Sequence, residues 1–288
     1  MNDQVIKFYV KEWLDREKFE KLLSFSKFVG RSREYGSEFQ LDIQRIVRNR
    51  MKLEDIIAIL SSVGVQLTDE QKKLIANSIP AFDIEFYFNN GNVDIKPNVF
   101  IPELKELGVP MRYNNESRTY TIYPYHYFLV KKKLEEKGYR IKELDLNFQD
   151  VEVKFTGELR DYQKEALAKW AQSNFNGVIA LPTGAGKTVI GIAAIAEVKK
   201  PTLIVAFTKE QMLQWRDSIL KFTDVKSDDI GLFYSEEKEI KPITITTYQT
   251  GFRHMSELGD KFDLLIIDEV HHLPADKFKE IAMHSIAS

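Results

Sequence analysis

A glycine-rich segment that ends in a lysine and a hydroxyl residue is the first candidate for chemistry in this sequence. It reads Thr183-Gly184-Ala185-Gly186-Lys187-Thr188. Backbone N–H groups in such a turn can surround phosphate oxygens, and the dipole of a following helix adds to the attraction. We predict that Lys187 reaches the β- and γ-phosphates of a nucleoside triphosphate and that the Thr188 hydroxyl ligates Mg²⁺. The strict pattern has glycine six residues before the lysine, where this chain has Leu181.

Two adjacent carboxylates form the second candidate. Asp268 and Glu269 follow the aliphatic run Leu264-Leu265-Ile266-Ile267, which predicts a fully buried parallel strand. Ligands of open α/β sheets bind outside the carboxyl ends of their strands. We therefore predict that Asp268 holds the Mg²⁺ shell and that Glu269 orients and polarises the attacking water.

The elements that must position these residues alternate between strand and helix. The sequence predicts a short buried strand at Gly177–Leu181 before the glycine-rich loop and a buried helix after it. Further segments predict a strand at 202–207, a helix at 209–222 and strands at 230–234 and 243–248. Such alternation indicates a parallel sheet with helices on both faces. The fold class predicted for residues 151–288 is therefore an α/β lobe of the P-loop kind.

Five segments in order carry a resemblance to a known family. Besides the glycine-rich loop they are Leu159-Arg160-Asp161-Tyr162-Gln163, Phe207-Thr208-Lys209-Glu210-Gln211-Met212-Leu213-Gln214-Trp215, Ile245-Thr246-Thr247-Tyr248-Gln249 and Asp268-Glu269-Val270-His271-His272. Their order and approximate spacing resemble superfamily 2 helicases with a RecA-like lobe. The Gln-Trp, Thr-Tyr-Gln and His-His sequences within these segments resemble most closely the XPB family of DNA-repair and transcription translocases, and its archaeal type in particular.

The resemblance implies roles for further residues. Arg160 and Gln163 match the motif that reads adenine, which makes ATP the expected nucleotide. Lys187, Thr188, Asp268 and Glu269 match the triphosphate and metal set, within an ATP-binding loop from Thr183 to Thr188. His271 is expected to couple that site to DNA. The contacts of the family with the DNA backbone fall at Thr208, Lys209, Thr247 and Gln249, where hydroxyls, amides and lysines suit phosphates without reading sequence.

The same resemblance implies a second lobe that carries arginine fingers and lies beyond Ser288. An arginine supplied in this way contributes about 10³ to 10⁵ in phosphoryl-transfer rate. We therefore expect these 288 residues to bind nucleotide weakly and to hydrolyse ATP negligibly by themselves.

Residues 1–150 carry no catalytic signature and predict a smaller α+β unit. The family resemblance implies a damage-recognition-like or accessory domain, which we place at 1–85, and we place a second accessory subdomain or linker unit at 86–150. The sequence predicts a strand at 6–10, and helices at 15–25, 38–50, 52–62, 69–78 and 125–137. Thr68 and Gln71 have the spacing of a capping box. Hairpins are predicted around Asn89-Asn90-Gly91 and across residues 111–123.

An aromatic and basic strip in this half has two interpretations. Its members are Arg112, Tyr113, Arg118, Tyr120, Tyr123 and Tyr125. Stacking and phosphate contacts with DNA would use such a face, but alternating aromatics also serve any half-buried strand. This half is equally suited to a protein partner, which for archaeal relatives of the family would be a nuclease, or to another repair or transcription protein.

Composition limits the remaining possibilities. No apolar run approaches the roughly 20 residues needed to span a bilayer, and we expect an intracellular, cytoplasmic or nucleoid-associated protein. The chain has no cysteine, which excludes disulfides and thiolate metal sites within it. Residues 1–150 hold 24 Lys and Arg against 23 Asp and Glu, and residues 151–288 hold 17 against 20. Neither half is a polybasic nucleic-acid surface, so DNA contacts must be local.

Three functions stay open on the sequence alone. The favoured one is an ATP-dependent DNA translocase or helicase that opens or remodels duplex DNA in nucleotide excision repair or transcription. A restriction-type or UvsW-like DNA translocase has the same core, although the Asp-Glu-Val-His-His and Thr-Tyr-Gln segments argue against it. A non-catalytic DNA- or protein-binding module with a regulatory nucleotide site belongs to a different class.

Overall fold

A computed structural model describes residues 6–272 and 276–287 of the chain. It separates into two compact units. The first contains Met1–Glu85, Lys96–Leu107 and Glu135–Lys142, and the second contains Phe86–Ile95, Gly108–Leu134 and Glu143–Ser288. The domain boundaries at residues 85 and 150 stay predictions. In the described part of the chain, no helix combines the length and the apolar character that crossing a membrane requires.

The helices and strands follow one another in a mixed α/β order. The first group is β1 (Lys7–Val10), α1 (Arg16–Leu23), β2 (Ser26–Ser32), β3 (Gly36–Leu41), α2 (Ile43–Arg48), α3 (Leu53–Ser62) and α4 (Asp69–Ser78). The second is β4 (Ile84–Asn89), β5 (Asn92–Pro97), β6 (Arg112–Asn114), β7 (Thr119–Ile122), α5 (Tyr127–Glu136) and β8 (Ile141–Lys142). The third is α6 (Asp161–Gln172), α7 (Lys187–Val198), β9 (Thr202–Ala206), α8 (Lys209–Phe222), β10 (Ile230–Phe233), β11 (Ile243–Thr247), α9 (Tyr248–Leu258), β12 (Leu264–Ile267) and α10 (Asp276–Met283).

A parallel sheet in the second unit confirms the predicted P-loop α/β lobe. Its described strands lie in the order β10-β11-β9-β12, and each neighbouring pair is parallel. β9 is buried along its whole length and its side chains alternate between two apolar layers. Ile204 and Ala206 face the layer that contains α7 and α8, whereas Leu203 and Val205 face the layer that contains α9. The sheet thus has a helical layer on each face, as its sequence pattern requires.

The strand predicted at Gly177–Leu181 is absent, and this prediction was wrong. The segment has no regular secondary structure, and Val178 is 72% exposed. Full burial of an apolar strand requires hydrogen-bonded neighbours and covered faces, and no described strand pairs with these residues. For the same reason β12 is only half-buried beyond Leu264, since it pairs with β9 and with no second strand of the described chain.

A small antiparallel sheet in the first unit, in the order β1-β3-β2, replaces part of a predicted helix. The prediction of one helix over 38–50 was wrong up to residue 41, because Phe39 and Leu41 alternate inward with period 2 in β3. Asp42 then accepts the Arg45 N–H and caps α2. The Phe8 and Phe39 rings stack with centroids 5.3 Å apart, which ties β1 to β3 in the core of this unit. The sequence pattern did not predict β2.

The locally encoded turns and caps of the accessory half are confirmed. Thr68 and Gln71 form the predicted capping box at the start of α4. Asn90 and Gly91 both have positive φ angles at the turn between β4 and β5, and β6 and β7 pair as an antiparallel hairpin. Within the second unit, the Gly91 carbonyl lies 2.6 Å from Nδ1 of His284, so the β4–β5 turn rests against the end of α10.

Candidate nucleotide site at the carboxyl edge of the parallel sheet

The glycine-rich loop presents unpaired backbone donors at the start of α7. Gly184 and Gly186 have φ angles of 79° and 76°, a region that glycine enters without the steric cost of a Cβ. Gly186 is the N-cap residue of α7. Within the described chain, the N–H groups of Gly184, Gly186, Lys187 and Thr188 have no protein acceptor. Free donors in a loop that leads into a helix N-terminus are of the kind that can bind an anion.

The lysine and the threonine of the loop occupy the first turn of α7. Lys187 is half-buried and its Nζ donates to the Leu181 carbonyl at 3.1 Å. Leu181 occupies the position at which the strict motif has glycine. In the protein without a ligand, its carbonyl accepts a hydrogen bond from Lys187, the side chain that the motif assigns to phosphate. Thr188 is also half-buried. Thr183 and Gly184 are exposed, which leaves the loop open to a ligand.

Two residues at the start of α6, Tyr162 and Gln163, hold the loop by its carbonyl groups. The Gln163 amide donates to the Ala185 carbonyl at 3.0 Å and lies 3.4 Å from the Gly186 carbonyl. Its Oε1 accepts the Arg160 N–H at 2.9 Å. Tyr162 Oη also donates to the Ala185 carbonyl, at 2.9 Å, and accepts from the Arg160 guanidinium. Gln163 is only 4% exposed, so it shapes the loop from below, and a role in reading adenine stays a prediction.

Asp268 is fixed at the end of β12 through every polar atom it has. Its N–H donates to the Val205 carbonyl at 2.9 Å, which extends the pairing with β9. Its carbonyl accepts from Tyr248 Oη at 2.9 Å. One carboxylate oxygen accepts the Glu269 N–H at 2.9 Å, and the other accepts Nε1–H of Trp215 at 2.8 Å. The carboxylate therefore has one orientation before any ligand arrives.

The neighbouring Glu269 sits in a sparsely populated backbone conformation. Its φ angle is 50°, which costs a residue with a Cβ roughly 1 kcal/mol or more. Such outliers concentrate at active sites, where the surrounding structure holds them. Glu269 Oε2 lies 3.2 Å from Nδ1 of His271, so the structure brings the predicted coupling residue to the predicted base. The side chain of His272 lies outside the described part.

The residues predicted to contact DNA lie at the same edge of the sheet. Thr208 follows β9 and caps α8 in a box with Gln211, and Thr247 ends β11 and caps α9. Since carboxyl ends of parallel strands share one edge, both caps lie on the side of Asp268. Gln249 is exposed. Lys209 pairs with Glu236 at 3.0 Å, and its Nζ stands 4.7 Å from the centre of the Tyr234 ring. The hydrogen bond with Glu236 raises the Lys209 pKa.

Sequence reasoning missed three aromatic side chains that hold the site: Tyr162, Trp215 and Tyr248. All three lie within the segments that carry the family resemblance, but motif spacing predicts no role for them. Burial and the nearby carboxylates of Asp268 and Glu269 raise the Tyr248 pKa to about 12. A buried indole or phenol needs a hydrogen-bond partner, and this rule applied to Trp215 and Tyr248 was the signal that could have found them.

The donor set suits a magnesium triphosphate. Mg²⁺ takes hard oxygen ligands and is usually held by one or two protein oxygens, with phosphates and waters completing the shell. The Thr188 hydroxyl and the Asp268 carboxylate supply such oxygens. Each carboxylate oxygen of Asp268 accepts a hydrogen bond from a described residue and retains a lone pair, since a carboxylate has about four acceptor positions.

Comparison with known proteins finds a matching family model and several similar sequences. Residues 156–288 match the family described as type III restriction enzyme, res subunit. The chain is similar to the DNA 3'-5' translocase XPB2 of Sulfurisphaera tokodaii, with 38% identity over 175 residues, covering 60% of this chain and 38% of that protein. It is also similar to the general transcription and DNA repair factor IIH helicase/translocase subunit XPB of Antonospora locustae. That match has 34% identity over 165 residues and covers 51% of this chain and 24% of the relative.

A likeness to a solved structure extends over more of the chain. The UvsW helicase from bacteriophage T4 matches with a TM-score of 0.41 and 16% identity, covering 71% of this chain and 89% of that chain.

Proposed function

We propose that this chain, which belongs to the XPB family of superfamily 2 helicases, is the ATP-binding part of a DNA translocase or helicase of the DEVH type that acts in nucleotide excision repair or transcription. Homologous helicases support the enzyme class and the use of ATP. The chain spans 38% of the length of one relative and 24% of the length of the other. An activity that belongs to the whole protein is therefore proposed for this chain and not shown by the comparison.

One observation carries the proposal. Backbone N–H donors and a carboxylate are both present at the carboxyl ends of the parallel strands. Four backbone N–H groups in the loop and the first turn of α7, which have no acceptor in the described part of the chain, attract phosphate oxygens. A carboxylate with a fixed orientation stands at the end of β12, and α7 packs against that strand. A triphosphate with its metal needs both, whereas a purely structural turn needs neither.

The proposed chemistry assigns one task to each side chain. Lys187 leaves the Leu181 carbonyl and binds the β- and γ-phosphates, and the loop amides bind the remaining phosphate oxygens. Thr188 and Asp268 hold Mg²⁺, which when bound neutralises charge on the β- and γ-phosphates. Glu269 accepts a hydrogen bond from the attacking water and orients it. Arg160 and Gln163 contribute at the adenine side, where Gln163 also supports the loop.

The DNA side of the proposal uses the caps at the carboxyl ends of β9 and β11. Thr208, Lys209, Thr247 and Gln249 contact the phosphate backbone, and helix N-termini add their own N–H groups. Lys209 must then exchange Glu236 for a phosphate. His271 lies close to Glu269 and couples DNA binding to the carboxylate that orients the water.

Partners and location follow from the same family relation. The Antonospora relative is named as a subunit of a transcription and repair factor, which supports a protein partner for the accessory half of this chain, and a nuclease is the partner class we propose. We propose that the protein is intracellular and associated with DNA. By themselves these 288 residues turn over ATP negligibly, because the arginine fingers that the family resemblance implies belong to a second lobe.

The test is calorimetric titration of the 288-residue chain with Mg–ATP, followed by ATPase assays with and without duplex DNA. We expect saturable binding that Lys187→Ala weakens, with negligible turnover in both assays. Absence of Mg–ATP binding would overturn the nucleotide site. Robust DNA-stimulated turnover would contradict the need for a second lobe. Binding of nucleotide without any turnover in a longer form that also contains a second lobe would favour the regulatory binding module.

A further inference from the structure

We propose that Trp215 is a positioning residue for the Asp268 carboxylate, which it orients for Mg²⁺ while tying it to the helix that begins at the phosphate loop. The inference rests on the proposed function, since it assigns a second layer to the same site. Trp215 lies on α8, outside both the glycine-rich loop and the acidic segment.

The buried indole donates its hydrogen bond to a charged group. Trp215 is 3% exposed, and its one polar group, Nε1–H, donates to Asp268 Oδ2 at 2.8 Å. A hydrogen bond to a carboxylate is roughly twice as strong as one between neutral groups. Because Asp268 Oδ1 is already held by the Glu269 N–H, the indole removes the remaining rotational freedom of the carboxylate.

The other edge of the indole lies against the backbone of α7. A Cβ built on Gly191 would stand 2.6 Å from Cη2 and 3.3 Å from Cζ3 of Trp215, so only glycine permits this approach. Glycine inside a helix costs about 1 kcal/mol relative to alanine. Gly191 is one turn beyond Lys187 and Thr188, and the indole therefore spans the space between the phosphate-loop helix and the end of β12.

Packing alone does not account for the N–H contact. Trp215 belongs to an apolar cluster with Met212, Ile219 and Ile204, and a phenylalanine could fill much of that volume. Such a substitution keeps an aromatic ring but leaves Asp268 Oδ2 without its donor. If the indole serves packing only, Trp215→Phe changes stability and leaves the contribution of Mg²⁺ to nucleotide binding unchanged.

The first experiment measures ADP affinity of the 288-residue chain by calorimetry, in Mg²⁺ and in EDTA, for the unsubstituted chain and Trp215→Phe. Trp170→Phe is the matched control, because Trp170 packs edge-on against Phe175 at 5.3 Å and belongs to no proposed ligand contact. We expect Trp215→Phe to reduce the enhancement of ADP affinity by Mg²⁺ about tenfold, the scale of one hydrogen bond to a charged group. Affinity in EDTA should stay unchanged. An unchanged enhancement in Trp215→Phe would overturn the inference.

A second measurement keeps the test valid if Trp215→Phe fails to fold. The chain has three tryptophans, so the indole N–H signals of the unsubstituted protein can be followed by NMR and assigned with Trp13→Phe and Trp170→Phe. We expect the Trp215 signal to move when Mg²⁺ is added to the ADP-bound protein and not when ADP is added in EDTA. A Trp215 indole N–H signal that does not shift when Mg²⁺ is added would contradict the proposal. If the unsubstituted chain binds no ADP in Mg²⁺, the proposed function fails, and this inference fails with it.

Discussion

The two halves of the proposed nucleotide site differ in how completely their polar groups are hydrogen-bonded within the protein. At the end of β12, all four polar atoms of Asp268 have protein partners, three of them from residues outside the acidic segment: Val205, Trp215 and Tyr248. At the start of α7, the N–H groups of Gly184, Gly186, Lys187 and Thr188 have none within the described residues. The carboxylate that we propose for Mg²⁺ is thus fixed before a ligand arrives, whereas the backbone donors that we propose for phosphate have no protein acceptor among the described residues.

The difference agrees with what we propose that each half binds. Mg²⁺ demands near-ideal geometry from its ligands, and a carboxylate already held in one orientation loses less entropy on binding. Phosphate oxygens must reach the loop from solvent, and buried amides without acceptors would be costly in the free protein. A rigid carboxylate beside an open loop satisfies both conditions.

The largest expected effect lies on the rigid side, in Glu269→Gln. In a form of the protein with measurable DNA-stimulated ATPase, we expect turnover to fall about 10² to 10⁴-fold, the usual scale for a general base. Affinity for ATP should be retained, because the amide keeps the shape of the side chain. Glu165→Gln, on the exposed face of α6, is the control. Turnover within a factor of a few of the unsubstituted enzyme would remove Glu269 from the mechanism.

The corresponding change on the open side is Lys187→Ala. We expect affinity for Mg–ATP to fall about 10- to 100-fold, since a hydrogen bond to a charged group is worth roughly 1.5–3 kcal/mol. Thermal stability should change little, because among the described residues the Lys187 ammonium donates to a single loop carbonyl. Calorimetry on Lys187→Ala and on the exposed control Lys169→Ala makes the comparison. Equal affinities would show that the backbone donors alone bind the phosphates.

The contact between the two halves is tested by Gly191→Ala. Helix propensity alone favours alanine by about 1 kcal/mol, but the added methyl would press on the Trp215 ring, and overpacking typically costs about 1–3 kcal/mol. We therefore expect no gain, or a net loss, in the free energy of unfolding measured with urea. Ala168→Gly, at a solvent-accessible position of α6, measures the propensity effect by itself. A clear stabilisation by Gly191→Ala would mean that the indole is not held there.

A smaller effect is expected for Tyr248→Phe, which removes the donor to the Asp268 carbonyl. We expect a loss of about 1 kcal/mol near neutral pH, the usual net value of a hydrogen bond. The Tyr248 pKa of about 12 in the folded protein exceeds the ordinary value of 10.0. The resulting stabilisation is therefore fully present below pH 10 and is lost as pH rises towards 12.

Urea unfolding at pH 8 and pH 11 separates these two contributions. Tyr248→Phe should lose less stability than the unsubstituted protein between the two pH values. Tyr125→Phe, at a position that is 58% exposed, should follow the unsubstituted protein. Identical pH dependence in all three proteins would contradict the burial of an un-ionised Tyr248.

The sequence predicted those features whose determinants are local. The glycines of the phosphate loop, the Thr68 capping box and the Asn90-Gly91 turn depend on a few adjacent residues, and each is present. Segment 177–181 has the composition of a buried strand, but burial depends on neighbours that composition does not contain. The helix predicted over 38–50 was wrong at residues 38–41 for a related reason, since β3 is stabilised by pairing with β1 and β2.

The side chains that fix Asp268 could not be predicted from the local sequence, for the same reason. Trp215 is separated from Asp268 by 53 positions and Tyr248 by 20, and only the order of the parallel strands brings them together. A sequence pattern can state that a buried indole needs an acceptor. It cannot state which one.

Amide hydrogen exchange on the 288-residue chain, with and without a non-hydrolysable Mg–ATP analogue, tests the contrast between the two halves most directly. In the free chain we expect fast exchange at Gly184, Gly186, Lys187 and Thr188, and slow exchange at Asp268 and Glu269, whose N–H groups are bonded. The analogue should slow the four loop amides at least about tenfold, as hydrogen bonds to phosphate form, and leave the other two unchanged. Loop amides that are already protected in the free chain, or that ignore the analogue, would contradict the account.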